Sequence, residues 1–274
     1  MVSNVNTFKI KSFGGRATLL AITAGALCLA SHAQTWPPAP ITSVPNAPEP
    51  RNSLTLREVP LNLLKDQGAI WSSPARIRNK DFGYLVPLGL MVTVAITTDH
   101  QAMSEKVSEK KSFNDANTKA SNVLVSPFVA APVVMYGVGR LAHSEHARET
   151  GILSGEALVD SLVVEQGMKL IFMRERPAVD GARGKFFQTG VGVDGSFPSN
   201  HSMLAWSSAA VLAEEYPSRF NTLAFYGVAA GVSVTRVLGQ QHFPSDVLVG
   251  SAFGWMIGHY VFKKHHRWDT YVGR

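Results

Sequence analysis

Six apolar segments of helix length, with no alternating apolar and polar run of any extent, leave this 274-residue chain one class of fold to adopt. They cover residues 84–98, 123–141, 152–173, 202–213, 222–238 and 247–262. In the third, Leu153, Ala157, Val164 and Met168 recur on one helical stripe, while Glu156, Asp160 and Glu165 fall elsewhere. The pattern predicts an all-α protein, a helical bundle of about six core helices. Pro127 and Pro132 limit how regular the second can be. Gly227 with Gly231, and Gly250 with Gly254, recur at four residues, which suits close helix packing in water or lipid.

What precedes the bundle reads differently. Lys9, Lys11 and Arg16 are followed by an apolar stretch over 17–30 and then by Ser31-His32-Ala33. A basic region, a short apolar core and a small-x-small site form a secretory signal peptide over 1–33, cleaved after Ala33. Cys28 is the only cysteine, so the mature chain would hold no thiol for a disulfide, a nucleophile or a zinc-thiolate site. Residues 34–60 carry seven of the 15 prolines and read as an extended tether, placed over 34–75. The helical domain then runs over 76–274. The net charge of +6 permits nucleic acid, an anionic membrane surface or a phosphorylated substrate as partner. With no run of interleaved Lys, Arg and aromatics, no nucleic acid is expected. The polar stretch 143–151 holds His143, Glu145, His146 and Glu149. With no third ligand nearby it reads as a solvated linker rather than a metal site, and no metal or other cofactor is expected.

Chemistry concentrates at three helix ends. Lys169 and Arg176-Pro177 close the third segment; Pro198-Ser199-Asn200-His201 opens the fourth; Arg236, His242 and Asp246 bridge the last two. A phosphoryl group in transfer needs several cationic donors together with backbone N–H groups. Lys169, Arg176 and Arg236 supply the first, and the helix start at Ser199, Asn200 and His201 supplies the second. Two histidines provide a nucleophile and a proton donor near neutral pH, and Asp246 is placed to fix one imidazole tautomer. The residues alone do not say which histidine attacks.

Lys169-x6-Arg176-Pro177, Pro198-Ser199-Asn200-His201 and Arg236-x5-His242-x3-Asp246 resemble the three-part signature of the type 2 phosphatidic acid phosphatase and vanadium haloperoxidase superfamily, in order and in internal spacing. The resemblance implies a metal-independent phosphatase acting on a phosphorylated small molecule or lipid. In it His242 attacks phosphorus to form a phosphohistidine and Asp246 orients it. His201 protonates the leaving oxygen and then activates water, and Lys169, Arg176, Ser199, Asn200 and Arg236 line the phosphate cradle. The sequence departs from the family at Asn200, where Gly is usual, and at Thr235, where Ser is usual. A left-handed backbone at Asn200 would cost about 1 kcal/mol. The alternatives are a vanadate-dependent haloperoxidase and a catalytically weak module that binds phosphate or a lipid head group.

Location is read from length and charge. Segments 84–98 and 202–213 fall short of the roughly 20 residues of a membrane span, and the mean hydropathy is only +0.04. A cleaved signal with Gln34 outside would put Lys169 and Arg176 on the cytoplasmic side of six spans. Arg76, Arg78, Lys80 and the basic run 263–267 would instead suit cytoplasmic ends of six spans that begin inside. The expectation is a periplasmic or secreted bundle, at most attached to a membrane surface, with an integral membrane protein as the alternative.

Overall fold

The computed structural model describes residues 53–267, and the expected signal peptide lies outside them. Seven α-helices follow in order: α1 Val59–Trp71, α2 Phe82–Gln101, α3 Lys111–Leu141, α4 Glu145–Phe172, α5 Asn200–Glu215, α6 Arg219–Leu238 and α7 Pro244–His265. Among the described residues there is no strand. The six expected segments are α2 to α7, each longer than its apolar core.

The centre of the bundle is the α5–α7 pair. Along α7, Gly250, Gly254 and Gly258 lie against the backbone carbonyls of Ser199, Met203 and Ser207, and a Cβ at any of the three would collide with them. The small-residue spacing therefore serves α7, where it runs one glycine further than the predicted pair. Gly227 has open space around it and Gly231 meets only Leu124 Cδ1, at 3.5 Å, so the second pair does no such work. Around this pair Leu153, Ala157, Val164 and Met168 bury the predicted stripe of α4 against Met203, Val211, Val249, Ile257 and Val261. A second cluster joins Val125, Phe128 and Ala131 of α3 to Ala205, Ala209 and Leu212 of α5 and to Ala229 and Val232 of α6. Pro127 and Pro132 lie inside a continuous α3, which passes close to α4 at Gly151, where a Cβ would meet the Pro132 carbonyl at 2.8 Å.

Two expectations change. The far end of the supposed tether is folded: α1 lies along α4, with Asn62 Nδ2 donating to Glu156 Oε1 and Gln67 Nε2 to Asp160 Oδ1, both at 2.8 Å. Those acidic residues therefore face a polar helix and are buried. Proline content misled here because Pro60 sits in the first turn of α1, where its missing N–H costs nothing. The supposed linker 143–151 is also helical from Glu145, since the Ser144 hydroxyl caps α4 by accepting from Ala147 N at 3.3 Å.

The outer helices show the opposite of a soluble surface. Of the residues of α2 only Asp99 is buried, while Leu90 and Val94 are 63% and 61% exposed. Val129, Val133 and Val134 on α3, and Phe220, Leu223 and Val234 on α6, are exposed too. Asn79–Lys106 and Lys111–Leu141 are each long and apolar enough to cross a membrane. The 84–98 core fell short because its flanks, although more polar, are helical as well.

Replacing Gly254 by Val should lower stability by at least about 2 kcal/mol, because the clash is with backbone rather than a movable side chain, whereas Gly227→Ala, in the open interior of α6, should raise it by up to about 1 kcal/mol. Thermal unfolding of the two variants beside wild type checks this, and equal midpoints would show that the α5–α7 approach is not as close as described.

Candidate active site

The three sequence pieces meet at one end of the bundle, joined mainly through backbone. Arg174, inside the first piece, has its carbonyl bonded by Ser196 N at 2.8 Å, and the Ser196 hydroxyl donates to the Glu175 carbonyl at 2.8 Å. The second piece meets the third where Ser199 N donates to the Asp246 carbonyl at 3.0 Å. Arg176 donates from Nε to the Asp194 carbonyl at 3.0 Å and from Nη1 to the Gln241 carbonyl at 3.3 Å, which ties the first piece to the third.

Ser199 occupies the N-cap position of α5 and makes no side-chain cap bond; its hydroxyl accepts instead from Ser202 Oγ at 3.2 Å. The amides of the first turn of α5 thus stay available to an anion. Asn200 opens the helix and is not among the positive-φ residues, so the expected left-handed backbone and its cost do not arise. The Thr235 hydroxyl donates to the Gly231 carbonyl at 2.7 Å, within its own helix, and offers nothing to the pocket.

Arg236 is buried, yet its guanidinium is poorly satisfied. Nη1 reaches Ser121 Oγ at 3.4 Å, and Nε has no hydrogen-bond partner among the described residues. Its neighbour Lys169 is buried beside Glu165 Oε1 at 2.7 Å. Arg236 and Arg176 touch only hydroxyl and carbonyl oxygens in the bonds described, so the cationic charge at this end exceeds the anionic charge set against it.

His242 is 1% exposed. Its Nδ1 lies 2.7 Å from the Ser196 carbonyl, an acceptor only, so Nδ1 carries the proton and Nε2 the lone pair. Burial first, then the charges of Arg236 and Arg176, holds its imidazole well below the ordinary range and so neutral. Asp246 stands 3.7 Å from Nδ1, outside hydrogen-bond distance, and its oxygens are engaged elsewhere. Oδ2 accepts from Phe243 N at 2.8 Å and Oδ1 from Arg174 Nη1 at 2.6 Å. The Ser196 carbonyl, rather than the carboxylate alone, thus sets the tautomer. His201 sits in the first turn of α5 with Nε2 2.8 Å from Asn122 Oδ1 of α3.

Sequence reasoning missed Arg174, which is 1% exposed and hydrogen-bonded from each of its guanidinium nitrogens. Its guanidinium also donates to Asp99 Oδ2 at 2.7 Å, Ser245 Oγ at 2.7 Å and the Gly184 carbonyl at 3.1 Å. It lies over the rings of Phe243 and Phe186, at 4.0 and 4.6 Å from their centroids. Gly184 has φ +59, and a Cβ there would press on Phe243, so this loop needs glycine twice over. An Arg two residues before the predicted Arg176 was the available signal, but nothing in the sequence tied it to Asp99, 75 residues away. Ser196 acts through its carbonyl, which no side-chain pattern reveals.

Fold and site together define a helical protein that gathers buried cations, the free amides of a helix start and two histidines at one end of its bundle. Residues 150–269 match the sequence model of the PAP2 superfamily. Among curated proteins the chain is similar to a lipid A 1-phosphatase of Porphyromonas gingivalis, 30% identical over 146 residues, which cover 52% of this chain and 30% of that protein. A lipid A 4'-phosphatase of the same organism is 27% identical over 130 residues, covering 45% of this chain and 55% of the relative. The chain thus spans about a third to half the length of these curated relatives. Among solved structures, a transmembrane PAP2-type phosphatidylglycerolphosphate phosphatase from Bacillus subtilis aligns with TM-score 0.48 and 20% identity, over 78% of this chain and 98% of that one.

Proposed function

We propose that this protein is a phosphatase that removes a phosphoryl group from a lipid phosphate through a phosphohistidine on His242. The observation that carries the reading is the buried Arg236 guanidinium, whose Nε has no partner among the described residues. A buried cation left this way costs on the order of 1–3 kcal/mol, which an anionic ligand would recover. Arg176, Lys169 and the first-turn amides of α5 complete a cradle for three phosphoryl oxygens.

Each histidine then has one role; burial and then the charge of Arg236 hold the His201 pKa down to about 4, so an anionic phosphate among these cations is what would let it carry the proton it donates. His242 Nε2, with Nδ1–H held by the Ser196 carbonyl, attacks phosphorus, and the P–N bond forms as the bond to the leaving oxygen breaks. His201, opposite Asn122, gives that oxygen a proton and then removes one from the water that attacks the phosphohistidine; inorganic phosphate leaves and both imidazoles are restored. The backbone at Asn200 is ordinary helix, which removes the reason for reading the site as a weak binding module. The lipid character of the substrate is supported by the names of the two curated relatives and by the apolar faces next to the site.

Those faces also bear on location. α2 ends beside the site, where Asp99 meets Arg174, and α7 begins there, so Arg76, Arg78, Lys80, Lys263 and Lys264 fall at the opposite end of the bundle. In place of a free periplasmic bundle, the reading adopted is a domain embedded through α2, α3 and α6, its basic end cytoplasmic and its site facing out. In this topology residue 76 is inside, which does not fit a chain cleaved after Ala33 with Gln34 outside.

The detergent-purified protein should release phosphate from lipid A. His201→Ala should lower kcat by about 10²-fold or more, and His242→Ala should bring turnover to background. A wild type inert towards lipid A and p-nitrophenyl phosphate, or a His242→Ala variant within about tenfold of wild type, would refute the assignment. Membranes washed with alkaline carbonate should keep the protein in the pellet, and its release into the wash would overturn the embedding.

A further inference from the structure

At the end of the bundle away from the site, the stretch read as a solvated linker meets two other parts of the chain. Glu149 in the second turn of α4, Glu215 at the last turn of α5 and His266 just past α7 each point one ligand atom at a common spot. His266 Nδ1 is 3.1 Å from Glu149 Oε1 and 3.1 Å from Glu215 Oε1, and all three atoms lie within 4.8 Å of one another. Both carboxylates are buried, at 4% and 1% exposure. The remaining Glu215 oxygen, Oε2, is held by His146 Nε2 at 2.8 Å, and Arg267 N donates to Glu149 Oε1. His266 is itself fixed by stacking on Phe262, with ring centroids 4.5 Å apart.

We propose that Glu149, Glu215 and His266 form a binding site for a first-row divalent cation of the Zn²⁺ type, with His146 as the outer residue that orients Glu215. Two carboxylate oxygens and one imidazole nitrogen, completed by water, make a mixed donor set that favours such ions over Mg²⁺ or Ca²⁺. Metal–ligand distances of about 2.0–2.2 Å put donors within about 4 Å of one another, so the trio needs only a slight contraction. A dication would replace the proton that His266 Nδ1 now holds between the two buried carboxylates, releasing it to solvent, and a hydrogen bond to the other oxygen of a ligating carboxylate is the kind of outer support such sites use. The three ligands come from the ends of three helices whose other ends build the active site. The ion is therefore a staple of the bundle and takes no part in the reaction.

Sequence spacing concealed the site: His143 and His146 suggested a metal pair, yet the cluster omits His143 and draws its other members from 69 and 120 residues beyond His146.

The test uses the full chain without a histidine tag, purified in detergent, stripped with EDTA and dialysed. Titrated with Co²⁺, it should develop a visible d–d absorption band that saturates at one ion per chain and is displaced by Zn²⁺. Zn²⁺ at hundredfold excess over its Kd should raise the unfolding midpoint by about 5 °C or more. The band should be lost in His266→Ala and weakened in Glu149→Gln, and it should persist in His201→Ala. No band from wild type would show that His266 and the two glutamates form an ion-paired knot and would overturn the proposal. So would a band lost in His201→Ala and kept in His266→Ala, which would place the ion among the active-site histidines. Either result leaves the phosphatase reading to stand or fall on its own assay.

Discussion

One buried guanidinium holds the reactive end of this bundle together. Arg174 leaves α4 just past its end and is bonded by Asp99 from α2, by Ser245 and Asp246 from α7 and by the Gly184 carbonyl of the intervening loop, and its guanidinium also lies over the rings of Phe186 and Phe243. One cation between two buried carboxylates leaves a charge that the Ser245 amide and hydroxyl help to carry, both donating to Asp99. Taking away Arg174 alone would leave two carboxylates in the interior, a loss of about 3–5 kcal/mol for a broken buried pair. The start of α7 is thereby fixed, and with it the backbone turn that presents His242. Because Asp246 is engaged by Arg174, the Ser196 carbonyl is left to hold the His242 proton, and Nε2 keeps the lone pair that the proposed reaction requires.

The reactive end and the far end use charge in opposite ways. Near the histidines, cations outnumber their partners, and a phosphate would complete them. Along α4 and at the far end, carboxylates dominate: Glu156 and Asp160 are covered by the amides of α1, while Asp66 accepts from Tyr260 Oη at 3.0 Å and His265 Nε2 at 2.7 Å. Between the two ends the outer helices turn apolar faces outward, an arrangement that suits lipid better than water. The same helix lengths that would cross a bilayer set the separation of the two ends, about 30 Å for a 20-residue helix.

Much of this was legible in the sequence because its signals are local. Apolar runs of helix length gave the all-α class and all six core helices, and Ser199 marked where α5 begins. Three groups of residues, each compact in sequence, named the cations and histidines that the fold brings to one end. What escaped was non-local or lay in the backbone. Arg174 pairs with Asp99 across 75 residues; the Ser196 carbonyl has no side-chain signature; α1 was obscured by the proline-rich stretch before it and by Pro60 in its own first turn. Asn200 looked like a strained departure only because a glycine position was assumed to need a left-handed backbone, whereas the helix begins at that residue.

Whether His242 takes the phosphoryl group is the claim on which the rest of the account turns. Rapid mixing of the protein with a radiolabelled phosphate ester, followed by alkaline quench and peptide mapping, tests it most directly. The account predicts a base-stable, acid-labile phosphate on the peptide that contains His242, formed at least as fast as turnover. Label on His201, or steady turnover with no labelled peptide at any quench time, would contradict it.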